Sequence, residues 1–344
     1  MSPILRQRPV PLGPGRFGRM RRSPWRRWSS FRPCGRAIRR SGLGLSFATI
    51  FPKAESGEYC DVLRWSQRAI DLADGDPTKG SFIIGSPLAV AFASRVIARI
   101  YLGRPGWRDD LRDGLAIARS ADPMSYAFVV AYAYGVGIPL GAPTPGDHAV
   151  REIEDALRIA ERSGDDHALA FVSVTLGHAL VHRHTAAERD RGQTLLAEVS
   201  DVFLRRRHNL GELPIINVYM ARERARRGDR DGAIPLMRAA VDHLFSNGQS
   251  LGWGIPATGV LVETLLDRGA EGDVAEAEAA IERLAAAPAD EGLVIREIWL
   301  LRLRALLARA HGDDAAYTHL RDRYRDTART LGFEGHIAWA EAMP

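Results

Sequence analysis

From about Glu55 to the C-terminus apolar residues recur at helical spacing in nearly every window, and no stretch alternates like a half-buried strand. Ile153, Ala156, Leu157 and Ala160 follow the i, i+3, i+4, i+7 rule, and Tyr317, Leu320, Tyr324 and Leu331 extend it over a longer span. The pattern predicts about thirteen helices, near 58–74, 86–102, 107–121, 123–138, 147–163, 166–183, 187–207, 212–227, 230–246, 255–268, 273–287, 291–311 and 314–331, with a short one near 335–342. Ser81-Phe-Ile-Ile84 is the one short strand candidate, and it reads better as a lead into a helix capped by Ser86 with Pro87 at its first position.

The joints between helices repeat. Arg227-Gly228-Asp229 precedes Ala233, Glu271-Gly272-Asp273 precedes Ala277, and His311-Gly312-Asp313 precedes Ala316. In each, the glycine can end one helix in a left-handed conformation, the aspartate can cap the next, and the alanine lets two helices approach closely. The three glycines lie 44 and 40 residues apart, longer than the roughly 34 of a tetratricopeptide repeat and near the length of HEAT-like units. Units of this kind bury their faces by stacking. The expected fold is therefore all-α, an α-solenoid of tetratricopeptide-like helical hairpins over residues 51–344, preceded by a disordered Arg-rich tail over 1–50.

Two helices read as apolar beyond what one partner covers. Around Met124–Val136, Tyr126, Val130 and Tyr134 share one face while Phe128, Tyr132 and Val136 share another. Such a helix is buried on both sides, and Tyr126, Tyr132 and Tyr134 are also candidates to line a ligand or partner groove, since each carries a polar tip. Near 58–74, Val62, Trp65 and Ala69 form one apolar side, with Leu63, Ile70 and Leu72 turned elsewhere. If repeats once preceded it, this would be an exposed edge through which copies self-associate. At the other end, the short helix bearing Ile337, Ala338 and Ala340 is expected to fold back and cap the last hairpin.

The net charge of +5 is unevenly spread. No acidic residue precedes Glu55, yet that segment holds thirteen of the 47 basic residues; the remainder has 34 basic against 42 acidic residues, a net −8. Three readings of the tail stand together: upstream translation of a GC-rich gene from a mis-assigned start (45 Arg against 2 Lys), an arm for nucleic acid or anionic membrane, and a twin-arginine export signal at Arg39-Arg40. Only the tail argues for nucleic acid. Two cysteines, Cys34 and Cys60, and the lack of a roughly 18-residue apolar run make a cytoplasmic chain with no membrane span the expectation.

Asp71-Leu-Ala-Asp-Gly-Asp-Pro-Thr-Lys-Gly-Ser-Phe-Ile-Ile-Gly-Ser-Pro-Leu88, Leu102-Gly-Arg-Pro-Gly-Trp107 and Leu331-Gly-Phe-Glu-Gly-His-Ile-Ala-Trp-Ala-Glu-Ala-Met343 resemble one particular region. It is the C-terminal tetratricopeptide-like helical-repeat region of large bacterial regulators that join a class III adenylyl or guanylyl cyclase domain to a signal-transduction ATPase domain. The resemblance covers roughly residues 50–344. It implies a sensor or scaffold portion detached from its catalytic parts, since neither a P-loop nor the metal-binding aspartates of a cyclase have a place here.

Several motifs tempt and fall short. Gly13-Pro-Gly15-Arg-Phe-Gly18 has the dinucleotide spacing but lacks a strand before it. Around Gly75–Ser81 the lysine precedes the glycine, so no phosphate loop forms, and Asp74, Asp76 and Thr78 lack the glycine and distant glutamate of a calcium loop. His178 and His182, four apart with His184 beyond, have zinc spacing without a third ligand, and Ser173, Ser200 and the cysteines lack a nucleophile's surroundings. The expectation is a non-catalytic sensor or protein-interaction module with no cofactor and no metal, its partners being proteins or a small effector. Such a chain should neither hydrolyse ATP nor make cyclic nucleotides.

Overall fold

Fifteen α-helices and no strand make up the described residues of the computed structural model, which are 43, 46–81, 85–289 and 292–343. They are α1 (Ser46–Glu55), α2 (Tyr59–Ala73), α3 (Pro87–Tyr101), α4 (Trp107–Ala121), α5 (Pro123–Val130, continued as a π-helix over Ala131–Val136), α6 (Asp147–Ser163), α7 (Asp166–Val181), α8 (Ala186–Arg206), α9 (Leu213–Arg226), α10 (Arg230–Ser246), α11 (Gly254–Arg268), α12 (Asp273–Ala285), α13 (Val294–Ala310), α14 (Asp314–Leu331) and α15 (Glu334–Glu341). The Arg-rich tail, its glycine motif and Cys34 lie outside the described residues, as do 82–84.

The helices form two layers. Each odd-numbered helix from α1 to α13 packs on the next odd-numbered one, whereas the even-numbered helices pack mainly on their chain neighbours. This is the alternation of an α-solenoid of tetratricopeptide-like hairpins. Sequence explains the layers. Outer α6 buries only the stripe Ala149, Ile153, Ala156 and Ala160, while inner α3 buries twelve of its fifteen residues. An amphipathic helix can face water; one that is apolar all round must be covered on both sides.

The joints behave largely as their residues dictate. Gly228, Gly272 and Gly312 all have positive φ. Asp229 accepts from the Gly232 amide and Asp313 from the Ala316 amide, both at 2.9 Å. Asp273 departs from this pattern: it is buried and turns back to the Ala270 amide (2.8 Å) and Arg268 rather than capping α12. Ser86 caps α3 with Pro87 in its first turn.

Three expectations are corrected. Helix α1 crosses the boundary drawn at residue 50: Phe47, Ile50, Phe51 and Ala54 have helical spacing and pack on the core despite Pro52, so the folded body reaches back to Ser46. The single helix over 123–138 changes to a π-helix at Ala131. Val62 and Ala69, expected on an exposed association edge, are each 1% exposed because α1 and α3 cover that side of α2, and Trp65 is half-buried.

The solenoid closes on itself. Inner helix α13 touches α3, which precedes it by five hairpins. At the turn after α3, Gly103 takes φ +61°, and a Cβ there would lie 2.9 Å from both Leu331 and Val294. Arg108 Nη2 donates to the Gly332 carbonyl (2.6 Å) and to Glu334 (2.9 Å). The segment after the π-helix runs into the centre, where its carbonyls are held from the C-terminal hairpin and α15. Leu140 accepts from the Trp299 indole (3.2 Å) and His336 Nε2 (2.9 Å), Gly141 from the His336 amide (3.0 Å) and Ala142 from the Glu334 amide (2.8 Å). Helix α15 folds back on α14, with Ala340 buried, Ile337 half-buried and Ala338 exposed. Its seat is this central segment rather than an open end.

Candidate functional site

The three tyrosines do not converge on one groove. Tyr126 is buried, its hydroxyl accepting from Arg119 (2.8 Å) and donating to Glu152. Tyr132 is half-buried in an aromatic cluster, stacked on Phe128 at 4.5 Å between ring centres and 5.4 Å from Phe51. Tyr134 is 5% exposed and edges a separate cavity of about 310 Å³ beside Trp107 and Thr144. The wider π turn from Ala131 breaks the facial register that an uninterrupted α-helix would have kept.

The histidine pair is structural in its contacts. His178 is buried, its Nε2 without a hydrogen-bond partner, and burial holds its pKa down at about 4. His182 Nδ1 donates to the His178 carbonyl (2.7 Å), and His184 is exposed. Among the described residues no three His, Cys, Asp or Glu side chains cluster as metal ligands do. Asp76 accepts from the Thr78 amide and hydroxyl (2.9 and 2.7 Å), which makes its loop a tight turn between helices.

Two other places carry chemistry. The first is an apolar groove of about 730 Å³ floored by α9, between the end of α8 and α10. Leu204, Leu210 and Leu236 stand 57%, 42% and 48% exposed, the large exposed apolar side chains among the described residues, and all three line it. Met220 and Leu213 deepen its floor; Arg224 and His243 are its charged or titratable members, and no carboxylate lines it. Arg207, just past α8 and without an ion pair among the described residues, adds positive charge nearby.

The second is inside the ring, where α9, α11 and α13 bound a cavity of about 630 Å³ that adjoins a smaller one of about 190 Å³. Arg222, Arg226, Arg302 and Arg309 enter the larger cavity against Glu263 and Asp267. Arg302 is held by Glu263 (2.8 Å), Asp267 by Arg230 from outside (2.5 Å), and Arg226 by Glu223. Arg309, exposed at the end of α13, has no ion pair among the described residues, and Arg222 has no carboxylate at hydrogen-bonding distance. Arg222 Nη2 donates to the Val181 carbonyl (2.7 Å) and its guanidinium lies 4.6 Å from the Tyr219 ring centre, but its buried Nε has no hydrogen-bond partner. Burial, with Arg226 adding repulsion, lowers its pKa to about 10.

Neither place was singled out from sequence, though each left a signal. Arg222, Arg226, Arg302 and Arg309 interrupt helices that otherwise belong to the inner apolar layer, and Leu204 and Leu236 sit at outward positions on charged helices.

No known protein family matches the sequence, and no curated protein matches it either. Among solved structures the chain is similar to the yeast Tom70 crystal structure, at 15% identity and a TM-score of 0.47. The match covers 92% of this chain and 65% of that one, so this chain spans less than two thirds of its length.

Proposed function

We propose that this chain is a non-catalytic interaction module that receives an amphipathic helix of a partner protein in the groove between α8 and α10. The observation that carries this is the gathering of Leu204, Leu210 and Leu236 in one groove without a carboxylate. Exposed apolar surface concentrated in one place marks docking surfaces, and a helix enters such a groove with residues at i, i+3, i+4 and i+7. Arg207, without an ion pair among the described residues, favours acidic flanks on the incoming helix; Arg224 is already held by Asp229. A photo-crosslinking residue at position 236, used in the cells that make the protein, tests this. The crosslinked peptide should come from another protein and carry an apolar stripe with acidic flanks. Crosslinks only to a second copy of this chain, only to lipid, or none at all would contradict it.

A second reading, the sensor portion of cyclase–ATPase signalling regulators, is supported by where the resembling segments lie. Leu102–Trp107 and Leu331–Met343 sit on the two sides of the ring joint, around Gly103, Arg108, Gly332 and Glu334. The cytoplasm is the compartment that reading implies. Added to such a regulator stripped of its own repeats, the chain should alter cyclase or ATPase turnover; unchanged turnover at saturating chain contradicts it.

A further inference from the structure

We infer that the cavity inside the ring is a binding site for a small oxyanion-bearing molecule, a phosphate or a carboxylate, received by Arg222 with Arg309 at the mouth. The inference is independent of the groove: it concerns another face and another class of ligand.

Charge accounting comes first. Glu263 and Asp267 are already engaged, by Arg302 and Arg230, and Glu223 is shared by Arg189 (3.1 Å) and Arg226, leaving it 3.9 Å from Arg222 Nε. Arg222 therefore has no carboxylate at hydrogen-bonding distance, and Arg309 has no ion pair among the described residues. Arg222 is thus a mostly buried charge without a hydrogen-bonded carboxylate, and the exposed Arg309 adds a second positive charge at the mouth. A charge in the position of Arg222 is unfavourable unless paired, and an anion entering the cavity would relieve that cost.

Geometry agrees with charge. The Arg222 side chain is 15% exposed, fixed by the Val181 carbonyl and the Tyr219 ring, with Nε left as a donor lacking a protein acceptor. A guanidinium held in one orientation suits two oxygens of a planar or tetrahedral anion. The adjoining smaller space is edged by Trp339, with Tyr219 and Trp299 buried behind it. The larger volume of about 630 Å³ is within the range of small-molecule sites.

The test is calorimetric titration of the full chain at low ionic strength with inorganic phosphate and, separately, succinate, each against potassium chloride of equal ionic strength. One or both oxyanions should bind saturably where chloride does not, and which one binds identifies the ligand class. Arg222→Gln should weaken that binding about tenfold or more, Arg309→Gln more modestly, and Arg191→Gln on the outer surface not at all. Arg309 is exposed, so its variant keeps the test decisive should Arg222→Gln fold poorly. Binding no stronger than chloride, or equal affinity in the wild type, Arg222→Gln and Arg309→Gln proteins, would overturn the assignment.

Discussion

At the scale of single residues, neutral histidines hold the centre together. His336 is fully buried; its Nε2–H donates to the Leu140 carbonyl, which leaves Nδ1 to accept from the Tyr324 hydroxyl at 2.9 Å. Burial, and then the charge of Arg302, lower its pKa to about 3, while burial lowers His178 to about 4. Both stay neutral in the folded chain at pH values where an unfolded histidine, near 6.5, takes up a proton. Stability from this source is complete above about pH 6.5 and falls as pH drops towards 4, by about 1.4 kcal/mol per pH unit for each histidine. Glu212, raised to about 7 by burial, acts in the opposite direction between 4.5 and 7, to a smaller extent because it keeps contact with solvent. The urea midpoint should therefore fall between pH 7.5 and 5.5, and His336→Gln should reduce the slope by about one proton; a flat profile would contradict the buried neutral assignment. Gly141 is the other critical residue here. At φ +79°, an added Cβ would meet the Trp339 ring at 2.6 Å, so Gly141→Ala should cost about 2 kcal/mol or more by unseating α15, read as a lower thermal midpoint.

Elements were the most legible level, because a helix and its joint are specified by residues a few positions apart. The Gly-Asp joints announced α10 and α14, and removing either cap, Asp229→Ala or Asp313→Ala, should cost about 1 kcal/mol in chemical unfolding. Helix α1 was hidden by Pro52 and the glycines before it, although Phe47, Ile50, Phe51 and Ala54 have the right spacing. The π-helix was hidden for a different reason: Thr175 on α7 packs against Gly135, a tertiary contact that local periodicity does not contain. Between elements, buried carboxylates tie hairpins together in a way that spacing alone did not reveal. Asp110 on α4 is 3% exposed and gripped by Arg95 (2.9 Å) and Arg99 (3.1 Å) of α3. Asp110→Ala should destabilise by about 3–5 kcal/mol, since it leaves two part-buried arginines without a carboxylate, with only Gln67 and the Pro105 carbonyl still accepting from them; a loss below about 1 kcal/mol would show that the pair is not desolvated.

For the molecule as a whole, the solenoid was legible and its closure was not. Arg108 meets Glu334 across 226 residues and Trp299 meets Leu140 across 159, and nothing in the apolar period of either segment points to the other. Closure nevertheless decides what the chain can do. Among the described residues the central segment and α15 occupy the interior along which an extended partner would run, leaving inside it a cavity of small-molecule size, while the groove of Leu204, Leu210 and Leu236 lies outside. The direct test is a distance across the joint. Spin labels on cysteines replacing Arg104 and Thr330, with Cys34 and Cys60 changed to serine, lie beside the Gly103–Leu331 contact. A closed ring predicts one narrow distance population below about 25 Å, whereas an open array, in which these sites lie five hairpins apart with helices about 8–10 Å apart, would give a broad population near about 40–50 Å and contradict the closure.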